Sequence, residues 1–302
     1  MGPFGVKMNG RATHKVWVAI FTCFTTRSVH AEMVHKMDAD SLINAIVRFA
    51  SRRPGIKKFV SDRGTNLTCA DRILREELEK WNASSTKDLQ RRGLEWAFIP
   101  SHTPHYGGVW ERIVGLFKRH LAIQATKQPI HVDALNTLVV EIEGIINRRP
   151  LTAMSADPRD LDPFTPAHIL YPSVYTHSSS IIVPVTSSSP ADNLRSSWKQ
   201  VQARVDDFWR TWSREYVTLL HERKKWTKTR EEMKNGDLVL IVSAQLPRCE
   251  WPMGRVVNTF DEKSHVRKAD ILRKDGKIVH CDRTNIVLLE MNGENKSDLE
   301  IL

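Results

Sequence analysis

Apolar residues change rhythm several times along this chain, and each rhythm predicts a different element. Val16 to Cys23 (Val-Trp-Val-Ala-Ile-Phe-Thr-Cys) is β-branched and aromatic, which predicts a buried strand. Val29 to Val34 alternates enough to be its hairpin partner across a turn at Thr25-Thr26-Arg27-Ser28. Leu42, Ala45, Ile46 and Phe49 fall on one helical face between Ser41 and Ser51, with Asp38 and Asp40 as candidate N-caps and Pro54-Gly55 as the stop. Lys57 to Ser61 predicts the next strand, Cys69 to Trp81 a helix and Leu94 to Ile99 a further strand. Two long helical patterns follow, Val109 to Thr126 and Val132 to Asn147.

The second half reads differently. Ser and Pro dominate from Ser173 to Asn193, which predicts a linker. Trp198, Val205, Trp212 and Leu219 then recur every seven residues, with Val201 and Phe208 between them. That stripe predicts a strongly amphipathic helix whose apolar side packs on the core or on a second copy. Past Gly236 five short strand patterns appear: Asp237 to Val242, Gly254 to Phe260, His265 to Leu272, Ile278 to Cys281 and Ile286 to Leu289. Separated by turn signals such as Lys274-Asp275-Gly276-Lys277, they predict a small SH3-like β-barrel. The expected organisation is an α/β domain over 1–172, a linker over 173–193, a helix over 194–234, the barrel over 235–290 and a tail over 291–302.

Composition narrows the class. The chain has 302 residues, 41% apolar and 26% charged, in the range of globular proteins and outside that of disordered ones. Its net charge of +10 favours an anionic partner such as nucleic acid. Four cysteines (Cys23, Cys69, Cys249, Cys281) form no Cys-x-x-Cys pair, which argues against a zinc ribbon and for free, mostly buried thiols in a reducing, intracellular setting. His30, His35, His102 and His105 match no zinc spacing and read as structural or surface residues. No apolar run approaches the roughly 18 residues of a membrane span, and no signal-peptide pattern opens the chain. Val6 occupies the position where a myristoylation motif needs Ser or Thr.

Two carboxylates carry the candidate chemistry. Asp62 closes an apolar run and precedes Arg63-Gly64-Thr65-Asn66; Glu111 opens a helical pattern after Gly107-Gly108. Displacing an alkoxide from a phosphodiester requires a deprotonated attacking oxygen and a stabilised leaving oxygen. Two Mg²⁺ ions about 3.5–4 Å apart can supply both. Mg²⁺ takes oxygen ligands, so acidic residues must converge from different elements, and only the fold could bring these two together. Arg112, Lys118 and Arg119 follow on the same helical pattern. Lys118 lies two turns beyond Glu111 on the same face, where it could neutralise a phosphate.

With these motifs on the page, the chain resembles the integrase region of a Pao/BEL-type long-terminal-repeat retrotransposon polyprotein. The resemblance rests on Gly2-Pro3-Phe4, the run from Phe21 to His30, Ser61 to Asn66, Pro104 to Arg112, Asn147-Arg148-Arg149-Pro150-Leu151-Thr152, Asp162 to His168, and Gly236 to Val239 with Trp251 to Val256. It implies a ribonuclease H-like core, Mg²⁺ or Mn²⁺ in a two-ion site, joining of element DNA ends to target DNA in the nucleus, and work as a multimer. Asp62 and Glu111 match the family's second and third catalytic, metal-binding carboxylates, and Lys118 matches a spacing that contacts element DNA. The position one turn after the glutamate is Gly115, which cannot do so.

Three departures qualify the resemblance. The family's first Asp falls just before the Gly-Pro-Phe, outside this chain, and most of the opening strand is expected to go with it. The usual Asp-Asn-Gly is Asp62-Arg63-Gly64 here, and the zinc-binding amino-terminal module is absent. Neither Glu32 nor Asp38 sits where the motif requires a substitute. The expected activity is therefore a severely impaired polynucleotidyl transferase. Two alternatives stay open: a non-enzymatic nucleic-acid- or chromatin-binding remnant, and a ribonuclease H-like nuclease.

Overall fold

A computed structural model of the chain describes residues 1–8, 13–61, 65–84, 95–98, 114–115, 117–123, 130–153, 163–172, 197–220, 233–242, 248–262 and 265–290. These residues form a mixed α/β protein that divides into two compact units, Met1–Gly144 with Pro184–Phe208 and Ile145–Val183 with Trp209–Leu302. The expected linker over 173–193 and tail over 291–302 lie outside the described residues.

In the first unit, β1 (Phe4–Lys7), β2 (Thr13–Thr22) and β3 (Val29–Val34) form an antiparallel meander, and the two-residue β6 (Ile130–His131) joins β1 in parallel, giving the order β3-β2-β1-β6. Strand β1 precedes the first strand read from the sequence and lies inside the sheet. The period of two is visible in β1 and β2, where Phe4, Val6, Val16 and Val18 are all buried. Strand β3 is buried on both faces, so its polar residues His30 and Glu32 are enclosed.

Helix α1 (Ala39–Arg52) starts at Asp38, whose carboxylate accepts the Ser41 backbone N–H at 2.8 Å. Strands β4 (Lys58–Ser61) and β5 (Glu95–Phe98) pair in parallel, joined by a connection that contains α2 (Thr65–Ser84). Ile46, Ala70 and Trp96 form the core between these elements, with Phe21, Leu42, Phe59, Leu67 and Leu74 packed around it. Helix α3 (117–123) buries Phe117 and Leu121, and α4 (Val132–Asn147) buries Leu135, Leu138, Val139 and Ile142 at helical spacing. The first half of α6 (Ser197–Leu220) adds Val201, Val205 and Phe208 to the buried set, with Phe208 edge-on to His120 at 5.8 Å. The seven-residue stripe is thus used for packing within the chain. Trp198 departs from it and is 52% exposed.

The second unit contains a short β7 (Thr152–Ala153) and β8 (Pro163–Phe164) pair, α5 (Pro166–Leu170) and a five-stranded antiparallel sheet. Its strands β9 (Leu238–Ile241), β10 (Met253–Glu262), β11 (His265–Arg273), β12 (Ile278–Asp282) and β13 (Ile286–Glu290) run in the order β12-β11-β10-β9-β13. All five correspond to strands expected from the sequence. Val239, Ile241, Val256, Ala269, Ile271 and Ile286 build its core. Gly254 is needed for closeness: a Cβ there would lie 2.7 Å from the Leu272 carbonyl oxygen and collide with the Ile271 side chain.

Trp209, Trp212 and Tyr216 on α6 gather around Trp251, and Tyr216 donates its hydroxyl to the Pro150 carbonyl at 2.7 Å. Burial pushes the Tyr216 hydroxyl up from 10.0 to about 12, against the opposing pull of the neighbouring Arg149 charge. A raised folded-state value means stability that is whole below pH 10 and declines as pH climbs towards 12. Chemical denaturation at about pH 11.5 should show roughly 2 kcal/mol less stability from this group than at pH 9. Tyr216→Phe should lack that alkaline loss.

The thiols depart from expectation. Only Cys281 is buried; Cys23 is exposed, Cys69 and Cys249 are half-buried, and none of the four is in a disulfide. Among the described residues no helix is long and apolar enough to cross a membrane.

Candidate functional site

Strand β4 delivers the chain to the candidate carboxylate. Its last residue is Ser61, the next residue in sequence is Asp62, and α2 begins at Thr65. Asp62 lies outside the described residues, as do Glu111 and Arg112. What leads up to Asp62 is well fixed. The parallel register sets Ser61 opposite Phe98 and Phe59 opposite Trp96. Trp96 therefore sits two residues down the ladder from Ser61's partner, on the same face. From there its indole N–H donates to the Ser61 hydroxyl at 2.9 Å. The Trp96 ring is 6% exposed and packs against Phe59 and Phe98. From α2, Arg75 donates to the Trp96 carbonyl at 3.2 Å and to the Asp71 carboxylate at 2.8 Å.

The helical residues after Glu111 bear the candidate cations. Lys118 and Arg119 are both exposed on α3, between buried Phe117 and buried His120 and Leu121. Open space surrounds Gly115. Lys118 also lies within electrostatic reach of the start of the central strand. Burial first, and then the Lys118 charge, depress the Met1 amine below its ordinary value. That amine donates to the Val18 carbonyl at 2.8 Å, so the start of the chain is held against β2.

A second polar cluster was not legible in the sequence. His30 is buried, with Nε2 2.9 Å from Glu32 and Nδ1 3.1 Å from Glu143. Arg48 donates to Glu32 at 2.7 Å, and Arg52 is bonded to it as well. Glu143 also accepts the Ala31 backbone N–H at 3.0 Å, capping a donor on the outer strand β3. Burial opposes ionisation of Glu32, but hydrogen bonds from Arg48 and His30 and the charges of Arg52 and Arg48 outweigh it and hold the carboxyl below its ordinary range. Glu32 is committed to this network and Asp38 to its helix cap, so both acids have structural work. The one available sequence signal was a His and a Glu two apart on a strand with α1 arginines four apart, Arg48 and Arg52.

Among the described residues no group of three or more His, Cys, Asp or Glu side chains is placed to hold a metal ion. Asp62 and Glu111 offer carboxylate oxygens, the donor type that suits Mg²⁺ or Mn²⁺.

Comparison with known proteins gives a match over residues 196–289 to DUF5641, a family of unknown function. The matched stretch takes in α6 and the five-stranded sheet. No curated protein matches the chain. Among solved structures, the chain is similar to the simian T-cell lymphotropic virus intasome in complex with the PP2A regulatory subunit B56 gamma, at 12% identity and a TM-score of 0.37. That similarity covers 93% of this chain and 74% of the other.

Proposed function

We propose that this protein is an integrase-like nucleic-acid-binding protein of the Pao/BEL retrotransposon type, with a ribonuclease H-like first unit and an SH3-like barrel in the second. Asp62 and Glu111 are its metal-binding carboxylates, and Arg112, Lys118 and Arg119 its DNA contacts. Bound Mg²⁺ or Mn²⁺ would activate the attacking oxygen and stabilise the leaving one. The chain's own part is to present two carboxylates and a basic helix face to a phosphodiester. The observation that carries this reading is the order of elements: the β1–β2–β3 meander, then α1, then β4 ending one residue before Asp62.

DNA binding should weaken as salt rises. Lys118→Ala and Arg119→Ala should each lower the slope of log affinity against log salt by about one. Fluorescence anisotropy across a salt series measures this, and a slope unchanged in both variants would refute the interface. A strand-transfer assay with Mg²⁺ and labelled ends tests the chemistry. Joining that is unchanged in Asp62→Ala would refute the role given to that carboxylate, and cleaved instead of joined products would favour a nuclease.

A further inference from the structure

We infer that the groove between the first turns of α4 and α6 binds an arginine side chain from a segment of another protein. The groove has a volume of about 290 Å³ and is lined by Asp133, Ala134 and Thr137 from α4 and by Trp198, Val201 and Gln202 from α6. All six belong to the first unit. Ala134 and Val201 are buried, whereas Trp198 is 52% exposed although it repeats in phase with the buried stripe of its helix. Sites that enclose drug-sized ligands span roughly 300–1,000 Å³. This groove falls just below that range, and its size suits one side chain.

The polar groups around the groove select for a donor with positive charge. The carboxylate of Asp133 has no hydrogen-bond or ion-pair partner among the described residues, on a chain whose net charge is +10. Asp133 stands in the first turn of α4. Roughly half a positive charge at the helix start keeps it ionised and is outweighed by its full negative charge. The Thr137 hydroxyl donates its proton to the Asp133 carbonyl at 3.1 Å, which leaves its lone pairs to accept. Gln202 turns its amide nitrogen to the Glu141 carboxylate at 2.5 Å. A guanidinium has five donors and no acceptor, pairs with a carboxylate through two parallel bonds and stacks on an indole. Asp133 and Glu141 would repel a phosphate, so nucleic acid does not suit this groove. A second copy of this chain would bring its own net charge of +10 and meet overall repulsion, so a short arginine-bearing segment of a different protein fits better.

The test titrates the full chain with the peptide acetyl-Gly-Gly-Arg-Gly-Gly-amide and with its citrulline and lysine counterparts, followed by NMR of the tryptophan indole N–H groups. The Trp198 signal is identified by its absence in Trp198→Ala. The arginine peptide should shift that signal in a saturable way. The citrulline peptide, equal in shape but uncharged, should leave it in place, and the lysine peptide should bind more weakly. In Asp133→Asn the affinity for the arginine peptide should fall about tenfold or more, the effect of losing a charge-assisted bond. In Trp198→Ala, measured by anisotropy of the labelled peptide, it should fall about twofold or more. An arginine peptide that leaves Trp198 unmoved overturns the proposal. So does an equal response to citrulline or lysine, or an affinity that Asp133→Asn does not change. A Trp198 signal that moves with protein concentration alone would show that a second copy covers the groove, which also overturns it. Asp133→Asn alters one exposed side chain, so the question stays answerable even if Trp198→Ala does not fold.

Discussion

Trp212→Ala should be the most damaging single change in the second unit, with a loss of about 3–5 kcal/mol, the range for truncating a large buried aromatic. Trp212 is 1% exposed and stacks on Tyr216 with centroids 5.1 Å apart and planes 7° from parallel. It also stands edge-on to Trp251 at 6.1 Å and tilts against Trp209 at the same distance. Removing the ring opens a void bounded by three other aromatics, which are too rigid to collapse into it. The buried hydroxyl of Tyr216, with its bond to Pro150, would lose the ring that shields it. Trp212→Phe keeps a stackable ring and should lose markedly less. Calorimetry on the full chain gives the comparison. A transition in Trp212→Ala indistinguishable from the parent would show that the aromatic cluster does not hold this unit together.

Glu32→Gln should cost the first unit about 3 kcal/mol at neutral pH, near the low end for breaking a buried ion cluster. The discount has a structural cause. Arg48 and Arg52 are 42% and 60% exposed at their side chains, so both can return to water when the carboxylate is lost. His30 cannot, being 8% exposed and enclosed with Phe49 at 4.9 Å. The pH dependence has a definite sign. A carboxyl whose folded-state value is lowered contributes stability above its unfolded value of 4.5 and loses it as pH falls through the folded value. The gap between parent and Glu32→Gln should therefore be widest near neutrality and narrow on acidification below 4.5. Urea denaturation at several pH values measures the gap, and a difference that stays constant down to strong acid would show that the carboxylate's charge is not what stabilises the network.

The elements that match their predicted limits most closely are those that show their own period. Val29–Val34 and Val132–Asn147 match their predicted limits because alternation and the 3.6-residue repeat run through them without interruption. The five strands past Gly236 were equally plain, since turn residues such as Asp275 and Gly276 separate them. Strands β1, β6, β7 and β8 span two to four residues and are defined by the partner they meet, which no local pattern records. His30, read as a structural or surface residue, is structural: α1 arginines and a glutamate from α4 complete a network around His30 and Glu32 that no local pattern records. Trp198 repeats in phase with buried Val205 and Trp212 yet stays largely open to solvent. At the candidate site, Asp62 and Glu111 could be picked out by residue type and neighbours. The Trp96–Ser61 bond could not, because it depends on a strand register set by residues far apart in sequence.

Both units are assembled from two separate stretches of chain, and this sets a schedule for biosynthesis. The first unit takes Val201, Val205 and Phe208 into its interior, so everything through Gly144 must leave the ribosome and wait for them. At 5–20 residues per second the delay between Gly144 and Phe208 is about 3–13 s. Throughout that interval the apolar surface that will meet those three side chains is a ready target for holding chaperones.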